Sequence, residues 1–240
     1  MMKILHSLIE DCKDSPVKDV VVGIFNTLVI AERAGIASTL RPVRDEGGIL
    51  PETISGKTTK ELAQLSLSKN PIEASIGLAV INASIPLPEH YVEIDGRELF
   101  LKMGKDKICA CIGHFPFIQK LEPMLKKLYT FEKKPSEGDL PEEKIPDFLP
   151  LADVVLITGM TLTNHSFESV MKHVKKGAYV LFMGPTVPVS PILFDFGIDA
   201  LCGTLVIEPD MVMEQVKMGV SYKDVKGLKK VCIAKERMYG

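Results

Sequence analysis

Apolar and polar positions follow two different rhythms in this chain, and the change falls close to residue 100. The first dozen residues place Ile4, Leu5, Leu8 and Ile9 on one face, which predicts an amphipathic helix over residues 1–13. Short β-rich runs follow: Val20 to Phe25, Leu28 to Ile30, and a third from Ala37 to Val43. With only turn residues between the first two, this is an antiparallel opening. Thr58 with Glu61 three residues on is a capping box, and Asn70-Pro71 is an N-cap followed by a first-turn proline. The helix that Asn70 opens is apolar on most of its surface, so it is expected at the centre of the first domain. Tyr91 to Ile94 reads as a small edge strand and Asp95-Gly96-Arg97 as a turn.

From Lys107 the rhythm becomes strand then helix. Ile108–Ile112, Leu128–Glu132, Val154–Ile157, Tyr179–Met183, Ala200–Ile207 and Val231–Ala234 are the strands. Helices are expected from Pro116 or Phe117 through Lys127, after Asn164, and from Pro209 through Met218. Such alternation implies mostly parallel pairing with right-handed crossovers. The domains are then 1–100, small and α+β, and 101–240, an α/β layered domain.

Composition narrows the function classes. A hydrophobic fraction of 46% in 240 residues supports a sizeable core, and the net charge of −2 gives no pull toward nucleic acid or anionic membrane. The N-terminus carries His6, Glu10 and Asp11 among its apolar residues, unlike a signal peptide. Nothing reaches the roughly 18 uninterrupted apolar residues of a membrane span. Five cysteines without a small-scaffold spacing are read as reduced thiols in a cytoplasmic protein. Scarce Gln beside abundant Lys and Glu hints at a thermophile.

The candidate chemistry sits at strand ends. Gly113-His114-Phe115-Pro116 occupies the first strand-to-helix turn of the second domain, with one of the three glycines of a dinucleotide loop. Glu132 ends the next strand, where a ribose-binding carboxylate would sit; the preferred reading is a solvated Glu in a charged turn, with nucleoside binding the alternative. Gly159, Thr161 and Asn164 follow Val154–Ile157 and offer hydroxyl, amide and backbone groups to an anion, against ordinary capping by Thr163 or Asn164. Gly184, Pro185 and Thr186 form a stiffer counterpart, since prolines at 185, 188 and 191 fix φ. Cys109 and Cys111 share a strand face ahead of His114 in a pattern a soft metal could use, but without a second pair they read rather as small core residues. His114 and His165, each ahead of a helix, are candidates for acid, base or ligand, and read equally as surface histidines. The loop 44–57 holds Gly47-Gly48, and its charged Arg44, Asp45 and Glu46 read as solvated residues, with closure of the loop over a ligand as the alternative. Gly56-Lys57-Thr58 lacks the leading glycine and the strand of a phosphate-binding loop, and is set aside.

Three stretches carry a resemblance: ASIGLAVINA at 74–83, ADVVLITGMTLTN at 152–164 and MGPTVPVSPILFDFGIDALCG at 183–203. With the order of elements, they make the chain resemble a two-domain family bearing the label of a heavy-metal chelation domain. The resemblance implies an enolase-N-terminal-like α+β domain followed by a Rossmann-like three-layer domain with a mostly parallel sheet, and a crevice between them. It carries over Asn82, Thr161, Asn164, Gly184, Pro185 and Thr186 as crevice residues. His165 stands where a small residue is expected.

Two function classes follow. One is an enzyme acting on a pterin-, flavin- or chelator-like compound tied to heavy-metal handling, or a methyltransferase-like, nucleotide-using enzyme with Glu132 on a ribose. The other is a non-catalytic holder of a metal or metal complex. The expected ligand is small and polar or anionic, with a metal ion or a nucleoside-containing molecule as the cofactor alternatives. The expected partners exclude nucleic acid and membrane, and a homodimer is left open.

Overall fold

The structure, a computed structural model, describes residues 2–41 and 51–235. Helix α1 (Lys3–Asp11) buries Ile4, Leu5, Leu8 and Ile9, the four residues its periodicity singles out. Its N-terminus has no side-chain cap of its own. The Glu168 carboxylate, from the far half of the chain, accepts the Lys3 and Ile4 N–H groups instead. Strands β1 (Asp19–Val22), β2 (Asn26–Ile30) and β3 (Ala34–Ser38) form an antiparallel sheet in that order. The third strand starts three residues earlier than its β propensity suggests, because Ala34 pairs with Ile30 and sets the register. It ends at Ser38, and Val43 lies outside the described residues.

The short helix α2 (Pro51–Ile54) leads to α3 (Thr59–Ala63), where Thr58 and Glu61 exchange both bonds of the capping box. Helix α4 (Pro71–Ser84) is capped by Asn70, whose Oδ1 accepts from Ile72 N–H at 2.9 Å. All of its residues from Ala74 on are buried. It lies directly on β3: a Cβ at Gly35 would stand 2.2 Å from Ala83 N, so only glycine permits the contact. Tyr91–Ile94 is not an edge strand among the described residues. Val92 alone bridges to Cys232, and Asp95 is the N-cap of α5 (Gly96–Gly104) rather than a turn residue.

The second sheet has seven strands in the order β10-β9-β8-β7-β4-β5-β6. These are β4 (Ile108–Ile112), β5 (Lys127–Glu132), β6 (Leu140–Pro141), β7 (Val154–Thr158), β8 (Tyr179–Met183), β9 (Ala200–Val206) and β10 (Leu228–Ala234). All neighbours are parallel except β10, which runs antiparallel to β9. Between β4 and β5 the expected long helix is only α6 (Ile118–Leu121) followed by a 3-10 turn, since Pro123 interrupts the pattern. Helix α7 (Ile145–Phe148) precedes β7. Helices α8 (Met160–Thr163) and α9 (Phe167–Met171) stand where one helix is expected, and α10 (Pro209–Lys217) joins β9 to β10. The break between α8 and α9 is His165, at φ +60, a left-handed conformation that ends a helix. Arrangement in one small antiparallel and one large mostly parallel sheet makes the chain a two-part α/β protein. No helix among the described residues is long and apolar enough to cross a membrane.

Two of the five cysteines are not reduced thiols. Cys202 on β9 and Cys232 on β10 are directly paired across the strands and disulfide-bonded. The antiparallel turn of β10 is what sets them opposite each other. Cys12, Cys109 and Cys111 are free and buried.

Candidate functional site

Strand β4 connects to β5 on one side, while β7, β8 and β9 build outward on the other. The carboxyl ends of β4 and β7 therefore flank the point where the sheet changes direction, the place where open α/β sheets hold ligands. Three glycines mark this edge. The N–H of Gly113 donates to Phe131 O at 2.9 Å, that of Gly159 to Met183 O at 3.1 Å, and that of Gly184 to Cys202 O at 3.0 Å. Each adds one rung beyond its strand, so three strand ends finish level. Gly113 and Gly159 are glycines because the neighbouring turn crowds them: an added Cβ would meet Thr158 Cγ2 at 2.6 Å and Val187 Cγ2 at 2.9 Å. Gly184 differs. At φ +132, its added Cβ would meet nothing closer than Gly159 N, at 3.8 Å, so the edge opens there.

The first sheet reaches this edge through Asn82 and Ser38. The Asn82 amide donates from Nδ2 to Ile36 O at 2.8 Å and to Pro185 O at 3.1 Å. The Ser38 N–H donates to Thr186 Oγ1 at 2.9 Å, and Thr186 is 1% exposed. The structure thus brings Asn82, Gly184, Pro185 and Thr186 together as the resemblance implies. It uses Asn82 and Thr186 as bolts between the two sheets, however, and Thr186 offers its hydroxyl to Ser38 rather than to open space. The Asn82 Oδ1 makes no hydrogen bond among the described residues.

Thr161 and Asn164 behave locally. The Thr161 hydroxyl donates to Thr158 O at 2.8 Å, and the side chain lines a crack of only ≈ 10 Å³ against α1, with room for no more than a water. Asn164 Oδ1 accepts from Ser166 N–H at 3.1 Å and from Ser166 Oγ at 2.6 Å, a local turn between α8 and α9; the N-cap of α9 is Ser166, without a side-chain cap bond, so neither Thr163 nor Asn164 has the N-capping role read from sequence. Its Nδ2 makes no hydrogen bond among the described residues. His165 donates from Nε2 to Ser66 O at 2.8 Å, another link across the two halves. Thr163 Oγ1 and Ser66 Oγ are buried without a hydrogen-bond partner among the described residues.

On the β4–β5 side, Glu132 is not simply solvated. Its Oε1 accepts the His114 N–H and its Oε2 accepts the Lys133 N–H at 3.1 Å. The carboxylate holds the Gly113-His114 turn onto the end of β5. Strand β6 pairs Leu140 with Phe131, which delivers Asp139 to the same corner. Asp139 Oδ2 accepts from Ser136 N–H at 3.0 Å and lies 3.7 Å from His114 Nδ1. The Asp139 side chain is 6% exposed and that of His114 37%. Arg97 stacks on Phe117 at 5.8 Å, and Phe117 on Phe115 at 5.5 Å, which fixes the rest of the turn.

The strand cysteines are poor metal ligands. Burial pushes the Cys109 thiol up to about 11, and Cys111, fully buried and near Glu132 and Asp139, is raised well above the ordinary thiol value by the same cause. The Cys111 thiol donates to Gly113 O at 3.1 Å. Among the described residues no group of three or more His, Cys, Asp or Glu could hold a metal ion. Asp139 and Ser38 escaped sequence reasoning. Ser136 to Asp139 reads only as a turn, and nothing local announces that β6 pairing brings it to His114. Arg44, Asp45, Glu46 and Gly47-Gly48 lie outside the described residues. An open groove of ≈ 570 Å³ lies apart, at the β10 edge, where Lys229–Glu93 and Lys230–Asp95 pairs already match charge to charge.

Two family profiles, each described as "Putative heavy-metal chelation", match residues 5–85 and 95–235. An uncharacterised protein of Methanocaldococcus jannaschii is 29% identical over 207 residues, covering 82% of this chain and 79% of its own. A crystal structure of a protein of unknown function from Desulfitobacterium hafniense superposes with a TM-score of 0.88 at 25% identity, covering 98% of this chain and 99% of that one. A second, from Pyrococcus horikoshii, also of unknown function, gives a TM-score of 0.79 at 23% identity over 97% of both chains.

Proposed function

The chain belongs to the family described as "Putative heavy-metal chelation", and from that premise we propose that it binds a metal complex whose organic chelator, small and polar or anionic, seats in the crevice at the carboxyl edge of β4, β7 and β8. The metal is cargo in this reading and arrives with its own ligands. The observation that carries it is the contrast at the edge: Gly184 opens onto space, while no described set of three donors exists to strip and hold a bare ion. Buried thiols held in the protonated form point the same way, because the thiolate is the ligand. The nucleoside alternative is less favoured, since both Glu132 oxygens already take backbone N–H groups.

The test is calorimetric titration with iron(III) citrate, free citrate and free metal. The complex should bind most tightly and raise Tm, by about 2.7 kcal/mol of stabilisation at a hundredfold excess over Kd. Gly184→Ala places a methyl group in the opening and should weaken binding at least tenfold per folded molecule. Asn164→Asp keeps the acceptor that caps Ser166 but replaces the Nδ2 donor by a negative oxygen; it should weaken an anionic complex with little change in Tm. Equal binding by wild type and both variants would remove the crevice from the function.

A further inference from the structure

The outer edge of β10 is closed at two places and open between them. We infer that the open stretch, Leu228 to Lys230, binds an extended peptide segment of another protein by strand addition, and that this segment carries a Lys or Arg for Glu208; this is independent of the crevice reading above. The ladder decides which groups face outward. The Ile207 N–H donates to Gly227 O at 2.8 Å and the Lys235 N–H to Asp199 O at 2.9 Å. The register places Lys229 on Leu205 and Val231 on Gly203 in the same series. Odd-numbered residues of β10 therefore bond to β9, and Leu228, Lys230 and Cys232 turn their N–H and C=O groups away from it. Cys232 has its outer partner: its N–H donates to Val92 O at 2.8 Å and its O accepts from Val92 N–H at 3.0 Å. Lys226, just before the strand, is held by the Gln215 side chain, whose Oε1 accepts its N–H at 2.9 Å and whose Nε2 donates to its O at 3.0 Å. Between these two closures the outward N–H and C=O of Leu228 and Lys230 have no partner among the described residues. The groove of ≈ 570 Å³ lies against them, with Ile207, 51% exposed, in its wall.

An unpaired strand edge beside open space is a template for another backbone, and the Val92 exchange shows that this edge takes one antiparallel. A second copy of the chain fits it poorly. Joining two β10 edges about a two-fold axis with every open group bonded sets Leu228 of each copy against Lys230 of the other. One Lys229 then stands directly against the other, a like-charge pair that opposes the contact. A shift of register in either direction calls on Lys226 or Cys232, whose groups are taken. A short peptide meets neither obstacle. Within the groove Lys229 pairs with Glu93 and Lys230 with Asp95, which leaves Glu208 as the carboxylate without an ion pair among the described residues. Glu208 sits beside Gly227, to whose O its N–H donates at 3.1 Å. A basic side chain at the Leu228 end of the added strand therefore meets it, and an apolar neighbour covers Ile207.

The probe is a capped pentapeptide, Thr-Val-Thr-Val-Lys, titrated into the isotope-labelled full chain and followed by amide resonances. The Leu228 and Lys230 amides should shift most. Methylating alternate peptide nitrogens should reveal a period of two: one set of methyl groups weakens binding about tenfold and the other leaves it unchanged. No shift at millimolar peptide, equal effects of the two sets, or no effect of either would overturn the inference, and these readings need no variant of the protein. Lys230→Pro removes an N–H that β9 does not use, so the fold should persist while binding falls about tenfold. Full binding by a folded Lys230→Pro would take the edge out of the contact. Glu208→Lys should weaken the lysine peptide about fivefold and favour a peptide ending in Glu by as much; indifference to this exchange would strike out the charge preference. A wild-type dimer that Lys230→Pro dissolves would assign the edge to a second copy and overturn the peptide.

Discussion

Asn82, near the end of α4, donates from one amide nitrogen to Ile36 O on β3 and to Pro185 O in the loop after β8. This side chain is one of the links that join the two halves, beside Ser38–Thr186 and His165–Ser66, and it makes its bonds from a site that is 9% exposed, where water replaces a lost bond poorly. Asn82→Ala should destabilise the chain by about 1–3 kcal/mol, because it leaves two carbonyls without their donor. Asn82→Asp should be worse at neutral pH, since it turns a carboxylate toward two carbonyl oxygens. Urea unfolding of both variants, read as midpoints at constant slope, checks the order.

Thr186 separates stability from ligand binding. Its Oγ1 accepts from Ser38 N–H, so Thr186→Val leaves a buried N–H unpaired and should cost about 1–3 kcal/mol. Thr186→Ser keeps the acceptor and removes one methyl group, worth about 1 kcal/mol. If chelate binding per folded molecule is unchanged in both, Thr186 is a bolt; a selective loss in Thr186→Val would make its hydroxyl a ligand contact as well.

Much of this was legible before any coordinates. The α1 face, the Thr58–Glu61 box and the Asn70–Pro71 start are short-range signals, and each reads from residues within one helical turn. The strand ends at Gly113, Gly159 and Gly184 were legible for the same reason. What stayed hidden is long-range. The Cys202–Cys232 bond depends on β10 reversing direction, and the His114–Asp139 approach depends on two-residue strand β6. Thr186 and Asn82 were singled out from sequence as crevice residues, but the partners Ser38 and Pro185 that occupy them lie more than a hundred residues away. No local pattern tells a bolt from a ligand contact.

The disulfide makes a countable prediction. Under denaturing, non-reducing conditions three of the five cysteines should react with a thiol reagent, and all five after reduction. The bond closes a loop with a sequence separation of 30. Chain-entropy arithmetic for a loop of that size gives about 3.5 kcal/mol of stabilisation. The double variant Cys202→Ala/Cys232→Ala should therefore unfold at lower urea by a comparable amount. Five reactive thiols in the unreduced protein would show that the bond does not form.

The three free thiols contribute to the loss of stability at alkaline pH. Cys109 titrates near 11 in the folded chain because burial disfavours its thiolate, against 9.0 for an ordinary thiol; Cys12 and Cys111 are shifted upward for the same reason. A raised folded pKa means that the unfolded chain releases its proton first. The stability this gives is complete below pH 9 and is lost as the pH climbs from about 9 toward 11, since the folded state then binds more protons than the unfolded one. Unfolding free energies measured by urea at pH 8 and pH 10.5 should fall between those values. The fall should be smaller in Cys109→Ala, where one of the thiols is gone and the remaining titrations are common to both proteins. An identical fall in variant and wild type would mean that Cys109 is not held protonated by burial, and the argument against it as a metal ligand would lose its electrostatic half.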